Sequence, residues 1–305
     1  MRTVRSVAEL RAALAARRDA GQTVGLVPTM GAFHAGHLAL MGAAREACDA
    51  VVVSLFVNPT QFGAGEDLDA YPRDEGRDAE LAAEAGVDLL FAPPVGEIYP
   101  DGFATTVSVR GGIAEVLCGD PKRRGPGHFD GVATVVTKLL SIVAPDVAYF
   151  GQKDAQQVAL IRRVVRDLDL PVRIEALPTV REPDGLALSS RNAYLTPAER
   201  ERAIALHRAL TAAERAVAAG ETAAAPILAA ARAELAAADI EPEYLELRAA
   251  GDLALADSVA GPTLLALAAR VGRARLIDNT VLETVPPPAM ASARAGAPGE
   301  GAPAQ

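Results

Sequence analysis

Val24-Gly25-Leu26-Val27-Pro28-Thr29-Met30-Gly31-Ala32-Phe33-His34-Ala35-Gly36-His37-Leu38 begins as an unbroken apolar run, passes through a turn with two glycines and two histidines, and leads into residues at helical spacing. The run Val24 to Val27 reads as a strand that ends at Pro28, and Leu38 to Cys48 reads as a helix. A strand that hands its polar residues to a turn before a helix marks the carboxyl edge of an α/β sheet, where loops and helix starts gather ligands.

The same alternation extends outward from this stretch. Upstream, Val7, Leu10 and Leu14 give a helix over 7–18, and downstream Ala50 to Val57 is a β-branched run suited to a strand covered on both faces. A charged helix over 74–85 stops at Gly86, and the strand Val87 to Phe91 is closed by Pro93 and Pro94. Residues 93–128 are less regular. Val132 to Val143 reads as a helix, Val147 to Phe150 as a strand, Asp154 to Leu168 as a helix and Val172 to Leu177 as a strand. Repeated units of this kind predict a mainly parallel, helix-covered α/β sheet over residues 1–177.

The pattern changes at 178–195, a polar stretch punctuated by Pro178, Pro183 and Gly185. Thr196-Pro197-Ala198-Glu199 then carries a complete helix start: a capping hydroxyl, a proline at the first helical position and a glutamate to close the capping box. Two Ala-rich helices, 197–218 and 223–237, precede three apolar runs, Tyr244 to Leu247, Leu264 to Val271 and Arg275 to Val285, the middle one ambiguous between strand and helix. Residues 178–285 therefore read as a smaller α+β domain. Residues 286–305, rich in Pro, Ala and Gly, are expected to form a mobile tail.

Composition narrows the function classes. The 305 residues are 50% hydrophobic with a net charge of −9, which supports about two packed domains and disfavours polyanions as the main partners, so neither nucleic acid nor an anionic membrane is expected. Cys48 and Cys118 form no CxxC pair and no disulfide framework. Arg5, Glu9 and Arg11 interrupt any signal-peptide core, and no apolar stretch approaches the roughly 20 residues of a membrane span, so a cytoplasmic location is expected.

Four segments at predicted strand ends or in the interdomain stretch carry chemistry. His34 and His37, three apart, can share one face of a helical turn and donate to phosphate, while Gly31 and Gly36 admit close backbone approach. The competing account is a glycine-rich turn with one locally bonded and one exposed histidine. No third ligand completes a metal set, and neither GxGxxG nor GxxxxGK[ST] occurs. In Phe56-Val57-Asn58-Pro59-Thr60-Gln61-Phe62, Asn58 and Gln61 suit hydroxyl or carboxylate recognition, or the segment is a capped turn. In Phe150-Gly151-Gln152-Lys153-Asp154-Ala155-Gln156-Gln157, Lys153 can neutralise phosphate, Asp154 can meet a ribose or cap the helix, and Gln157 can bond a small polar ligand; otherwise Lys153 is only solvated. Leu188-Ser189-Ser190-Arg191-Asn192 can clamp a triphosphate or serve as a surface turn. The cations Lys122, Arg123 and Arg124 can screen an anionic substrate, although a solvated basic loop is the plainer account, with His128 structural.

Taken together, PTMGAFHAGH, FVNPTQF, GPGHFDGV, FGQKDAQQ, LSSRNAYLT and AARVGRARLIDN resemble the pantothenate synthetase (pantoate-beta-alanine ligase) family, over about Val24 to Asn279. The resemblance implies a Rossmann-like, nucleotidyltransferase-type domain followed by a C-terminal α+β lid, a homodimer, and ATP with Mg2+. The implied reaction is the ATP-dependent joining of (R)-pantoate to beta-alanine through pantoyl adenylate. It also implies that Met30, Gly31, Ala32, Phe33, His34, Ala35, Gly36 and His37, then Gly151, Gln152, Lys153 and Asp154, then Val180, Leu188, Ser189, Ser190 and Arg191 hold ATP. His37, His34 and Lys153 are the catalytic candidates, His37 at the family's proton-donor position. Gln61, Gln157 and Asn58 are implied for pantoate, Gln61 for beta-alanine and Asp78 for metal. Phe33 stands where the family has Leu, and Gly125 is inserted in RPGHF, which leaves the role of Arg124 open. From the residues alone, a nucleotidyltransferase acting on a phosphorylated cofactor precursor and a noncatalytic nucleotide sensor are the alternatives.

Overall fold

The computed structural model describes residues 1–63 and 68–284, and the proposed tail at 286–305 lies outside the described residues. The first part runs β1 (Arg2–Val4), α1 (Val7–Asp19), β2 (Val24–Thr29), α2 (Ala35–Ala47), β3 (Ala50–Leu55), α3 (Glu75–Glu84), β4 (Leu89–Phe91), α4 (Val95–Ile98), α5 (Gly112–Glu115), α6 (Pro126–Val143), β5 (Val147–Gly151), α7 (Ala155–Asp167) and β6 (Arg173–Leu177). The strand β1 was missed by the sequence reading because three residues are too few to show a period.

Six strands form one sheet in the order β1-β4-β3-β2-β5-β6, parallel at every pairing. The apolar runs of β2 and β3 are buried almost throughout, because helices cover both faces of the sheet. After β2 the chain builds outward through β3 and β4, then returns to place β5 on the other flank of β2, so the direction of winding reverses between β2 and β5. Those two strands pair only at Gly25 with Val147 and Leu26 with Ala148. Beyond that point β2 stays with β3 as far as Thr29 and Leu55, and β5 stays with β6 as far as Gly151 and Leu177. Their carboxyl ends therefore part and open a crevice at the switch point. Pro28, expected to end β2, lies within it, since a residue without an N–H is accommodated where only β3 flanks the strand.

The second part comprises α8 (Pro197–Ala203), α9 (Ala205–Ala218), α10 (Ala224–Ala237), β7 (Pro242–Ala249), β8 (Thr263–Val271) and β9 (Ala274–Leu282), the last three an antiparallel sheet in the order β7-β8-β9. The Thr196–Glu199 capping box forms as expected. The helix expected over 197–218 is divided at Ile204 into α8 and α9, and Ala203 and Ala205 on either side of the division enter the same core. The ambiguous run is the central strand β8. Its Leu265, Leu267, Ala269 and Val271 face the core beneath α9 and α10, whereas Leu264, Ala266 and Ala268 join the core of the first part. With both faces buried, the run shows no alternation in sequence.

Helix α6 starts at Pro126, earlier than expected, and presses Gly131 against the turn after β3. A Cβ on Gly131 would stand 2.3 Å from the carbonyl oxygen of Thr60, a contact no side chain tolerates. Gly127, one turn earlier, has open space around its Cα. Gly131→Ala is therefore expected to lower stability by about 1–3 kcal/mol in urea denaturation. Gly127→Ala should be neutral or slightly stabilising. Equal effects of the two substitutions would refute the close-contact account.

Candidate active site

The crevice between β2 and β5 holds a groove of about 530 Å³. Its wall brings together Met30, His34, Gly36, His37, Asn58, Gln61, Gly151, Lys153, Asp154, Gln157, Val180, Leu188, Ser189, Ser190 and Arg191. Four segments spread along the first two thirds of the chain thus meet at one sheet edge. Gly31, Ala32, Phe33, Ala35 and Gln152 shape the groove without lining it: Phe33 is buried in the core under α2, and the carbonyl of Gln152 accepts from Asn279.

The turn after β2 is held by a carboxylate. Asp78, on α3 and almost fully buried, accepts the backbone N–H of Ala32 at 2.8 Å on one oxygen and that of Phe33 at 2.7 Å on the other. These bonds fix Ala32 in the left-handed region at φ 53°, where alanine is strained, and steer the chain into α2. Gly31 has φ 91° and lies so close to this carboxylate that a Cβ would be 2.9 Å from it. Asp78, implied for metal, thus has each oxygen bonded to an amide of the turn, and it stands outside the lining of the groove.

His34 caps α2, its Nδ1 accepting the N–H of Gly36 at 3.1 Å, and the Nδ1 of His37 accepts the N–H of His34 at 3.3 Å. A ring nitrogen that accepts from an amide carries no proton, so each neutral imidazole keeps its hydrogen on Nε2. The rings lie 4.2 Å apart. Burial, then the neighbouring His34, then Lys153 push the pKa of His37 down to about 3. Burial and Lys153 also lower that of His34, with Asp154 opposing. The pair is therefore two neutral Nε2–H donors beside one cation.

Asn58 is engaged by protein on every side. Its Nδ2 donates to the carboxamide oxygen of Gln61 at 3.1 Å and to the carbonyl of Gly131 at 3.2 Å, while its Oδ1 accepts from Tyr99 at 2.7 Å and from Thr60. It lines the groove beside Gln61 and fixes that carboxamide through the bond to its oxygen. Gln61 Nε2 donates to Met30 Sδ at 3.3 Å, a weak bond that a better acceptor can replace. Gln157 lines the groove from the first turn of α7. Arg191 follows Ser189, whose hydroxyl accepts its N–H, and Leu188 donates to the carbonyl of Val180, so the expected residues Val180 and Leu188 are paired in one turn.

The groove has further neighbours, two of them in the basic loop read from the sequence. His128 donates from Nδ1 to the carbonyl of Gln61 at 2.7 Å, and its Nε2 lies 3.0 Å from Arg124, so both residues of the basic loop border the groove. Val132, Val135, Val136 and Leu139 of α6 form an apolar wall, which their spacing in sequence could have revealed. Asn279 on β9 donates both amide hydrogens to the carbonyls of Gln152 and Lys153, at 3.0 and 2.8 Å, tying the second part to the turn that carries the lysine. Among the described residues no group of three His, Cys, Asp or Glu side chains is placed to hold a metal ion, and no helix is long and apolar enough to cross a membrane.

Comparison with known proteins places this site in context. The family profile described as Pantoate-beta-alanine ligase matches residues 2–281. The chain is 54% identical over 284 residues to the pantothenate synthetase of Moorella thermoacetica, covering 93% of this chain and 99% of that protein. It is 55% identical over 287 residues to pantothenate synthetase 1 of Bradyrhizobium diazoefficiens, with 94% and 100% coverage. The crystal structure of pantothenate synthetase from Thermus thermophilus superposes with a TM-score of 0.87 at 49% identity, covering 93% and 100%. That of the Francisella tularensis pantoate-beta-alanine ligase, complexed with beta-gamma ATP and beta-alanine, gives 0.75 at 34% identity, covering 92% and 97%.

The depressed pKa of His37 links the site to stability. Between pH 6.5 and about 3 the unfolded chain binds a proton at His37 that the folded chain refuses, so its contribution is present above pH 6.5 and lost on acidification. The slope approaches about 1.4 kcal/mol per pH unit. His37→Asn, which keeps an acceptor but removes the titration, should lose less stability than the parent between pH 7 and 5 in urea denaturation. Identical losses would count against a neutral buried imidazole.

Proposed function

The chain belongs to the pantoate-beta-alanine ligase family, and on that footing we propose the roles by which its own residues carry the reaction. The protein is an ATP-dependent ligase that joins pantoate to beta-alanine through an adenylate intermediate. The pantoate carboxylate attacks the α-phosphorus of ATP, forming a P–O bond and releasing pyrophosphate. The amine of beta-alanine then attacks the acyl carbon, forms the amide, loses a proton and releases AMP.

The observation that carries the assignment is the convergence of two neutral imidazole donors, a lysine and two glutamine carboxamides on one groove with an apolar wall. In this reading Lys153 and the Nε2–H groups of His34 and His37 meet phosphate oxygens and stabilise the charge that grows on the departing diphosphate. His37 acts as a hydrogen-bond donor and not as an acid: with its pKa near 3 it holds no spare proton at neutral pH, and pyrophosphate needs none to leave. Gln61 and Gln157 take the carboxylate and hydroxyls of pantoate, Gln61 also meets beta-alanine, and the α6 wall receives the two methyl groups. Asp154 reaches the ribose. Val180 and residues 188–191 close over the triphosphate and keep water from the adenylate.

The lid is a smaller device than the whole of residues 178–285. Because Leu264, Ala266 and Ala268 share a core with the first part, the mobile piece is assigned to the segment 178–194. Mg2+ suits the triphosphate as its counter-ion, since Asp78 is engaged by amides, and Asp154 is a carboxylate at the groove able to meet its water shell. A hard dication there screens the phosphate charge. A homodimer and a cytoplasmic location complete the reading; sedimentation at twice the chain mass checks the former.

Two measurements test these roles. Pyrophosphate release should require pantoate, and AMP and pantothenate should appear only with beta-alanine; pantoate-independent release would overturn the scheme. His37→Ala should slow single-turnover adenylate formation by about 10²–10³-fold while pantoate affinity changes far less. Asp78→Asn should lower the turnover rate with an unchanged magnesium dependence, whereas a higher magnesium requirement would favour the metal role.

A further inference from the structure

Behind the groove lies a second cavity of about 410 Å³, between the first part and the β7-β8-β9 sheet. The two spaces share a wall that includes Lys153, Asp154, Ser189 and Arg191, so the position assigned to the β- and γ-phosphates borders both. Nothing in the two-step reaction described above requires this space, and its lining is strongly cationic.

The charge comes from the β8-β9 hairpin. Arg270, Arg273 and Arg275 all line the cavity. Glu243 pairs with Arg275 at 2.7 Å and with Arg270 at 3.2 Å, so one carboxylate serves two guanidinium groups. The other nearby acid, Asp278, is taken by a bidentate pair with Arg181 at 2.6 and 3.0 Å, leaving Asp154 facing the arginines. Arg275 is held rigidly: Glu243 takes its Nε, and the Sγ of Cys118 lies 3.4 Å from each of its terminal nitrogens. Arg273 stacks over the ring of Tyr194 at 5.3 Å, at the exposed mouth of the cavity.

We infer that this cavity is a diphosphate subsite, into which pyrophosphate passes from the groove after adenylate formation. The inference rests on the adenylation reading. Its physical logic is that the adenylate must stay covered while the diphosphate leaves, since opening segment 178–194 would admit water to a hydrolysable anhydride. A rear exit whose lining carries more positive than negative charge draws the dianion or trianion away without exposing the acyl group, and fixed guanidinium forks suit phosphate oxygens.

The test is a calorimetric titration of magnesium pyrophosphate into enzyme saturated with α,β-methylene-ATP, which fills the groove and cannot be cleaved at the α-phosphorus. One further equivalent of pyrophosphate should bind. In the double variant Arg270→Gln, Arg273→Gln, whose side chains lie at the exposed rim, that binding should weaken by about tenfold. The affinity for the ATP analogue and the single-turnover rate should stay within about twofold, since neither arginine lines the groove. Complete exclusion of pyrophosphate by the analogue would overturn the inference, as would an equal loss of both affinities, which would place the arginines on the ATP phosphates. The titration needs no turnover, so a failure of the adenylation reading shows separately, in the pantoate-dependent release assay.

Discussion

Two parallel strands that pair over two residues and then separate set the terms for the rest of the molecule. Had β2 and β5 stayed in register beyond Leu26 and Ala148, their ladder would have closed the sheet edge where the histidine turn and the lysine turn now face each other. Parallel strands need long helical crossovers, and a sheet that winds outward in both directions from its centre has one place where adjacent crossovers leave on opposite faces. The turn after β2 and the turn after β5 flank that place, and the turn after β3 reaches it through the contact of Thr60 with Gly131.

Within the crevice, burial decides the chemistry. A pair of histidines beside a lysine would repel one another if charged, and the low-dielectric surroundings make neutrality the stable state. Their amide-bound Nδ1 atoms then leave two fixed Nε2–H donors, which need no reorganisation when phosphate charge develops. Asp78 supplies the complementary constraint. Its two amide bonds hold a turn that would otherwise relax away from the positive φ of Ala32, so a residue outside the groove determines where both imidazoles stand.

The second part is joined to the first by more than a linker. One face of β8 belongs to the core of the first part, and Asn279 bonds the carbonyls of the lysine turn. An apolar interface of this kind resists rigid rotation of one part against the other. The same interface, where its apolar layer gives way to arginines, encloses the rear cavity.

Much of this was legible in the residues themselves. The parallel α/β class, the change of pattern near 178, the Thr196 capping box and the motifs around His34, Gln61, Lys153 and Arg191 follow from local propensity and spacing, because a strand, a cap or a polar turn is written in adjacent residues. The partners of Asn58 and Asp78 were not legible: each carries a side chain suited to a ligand, and only folding brought Gly131 and Tyr99 to one and the amides of Ala32 and Phe33 to the other. The strand identity of β8 was hidden for a related reason, since it depends on which core receives each face. Strand order, the parting of β2 from β5 and the arginine-lined cavity belonged to tertiary structure alone, because pairing and enclosure are relations between segments distant along the chain and leave no period within any one of them.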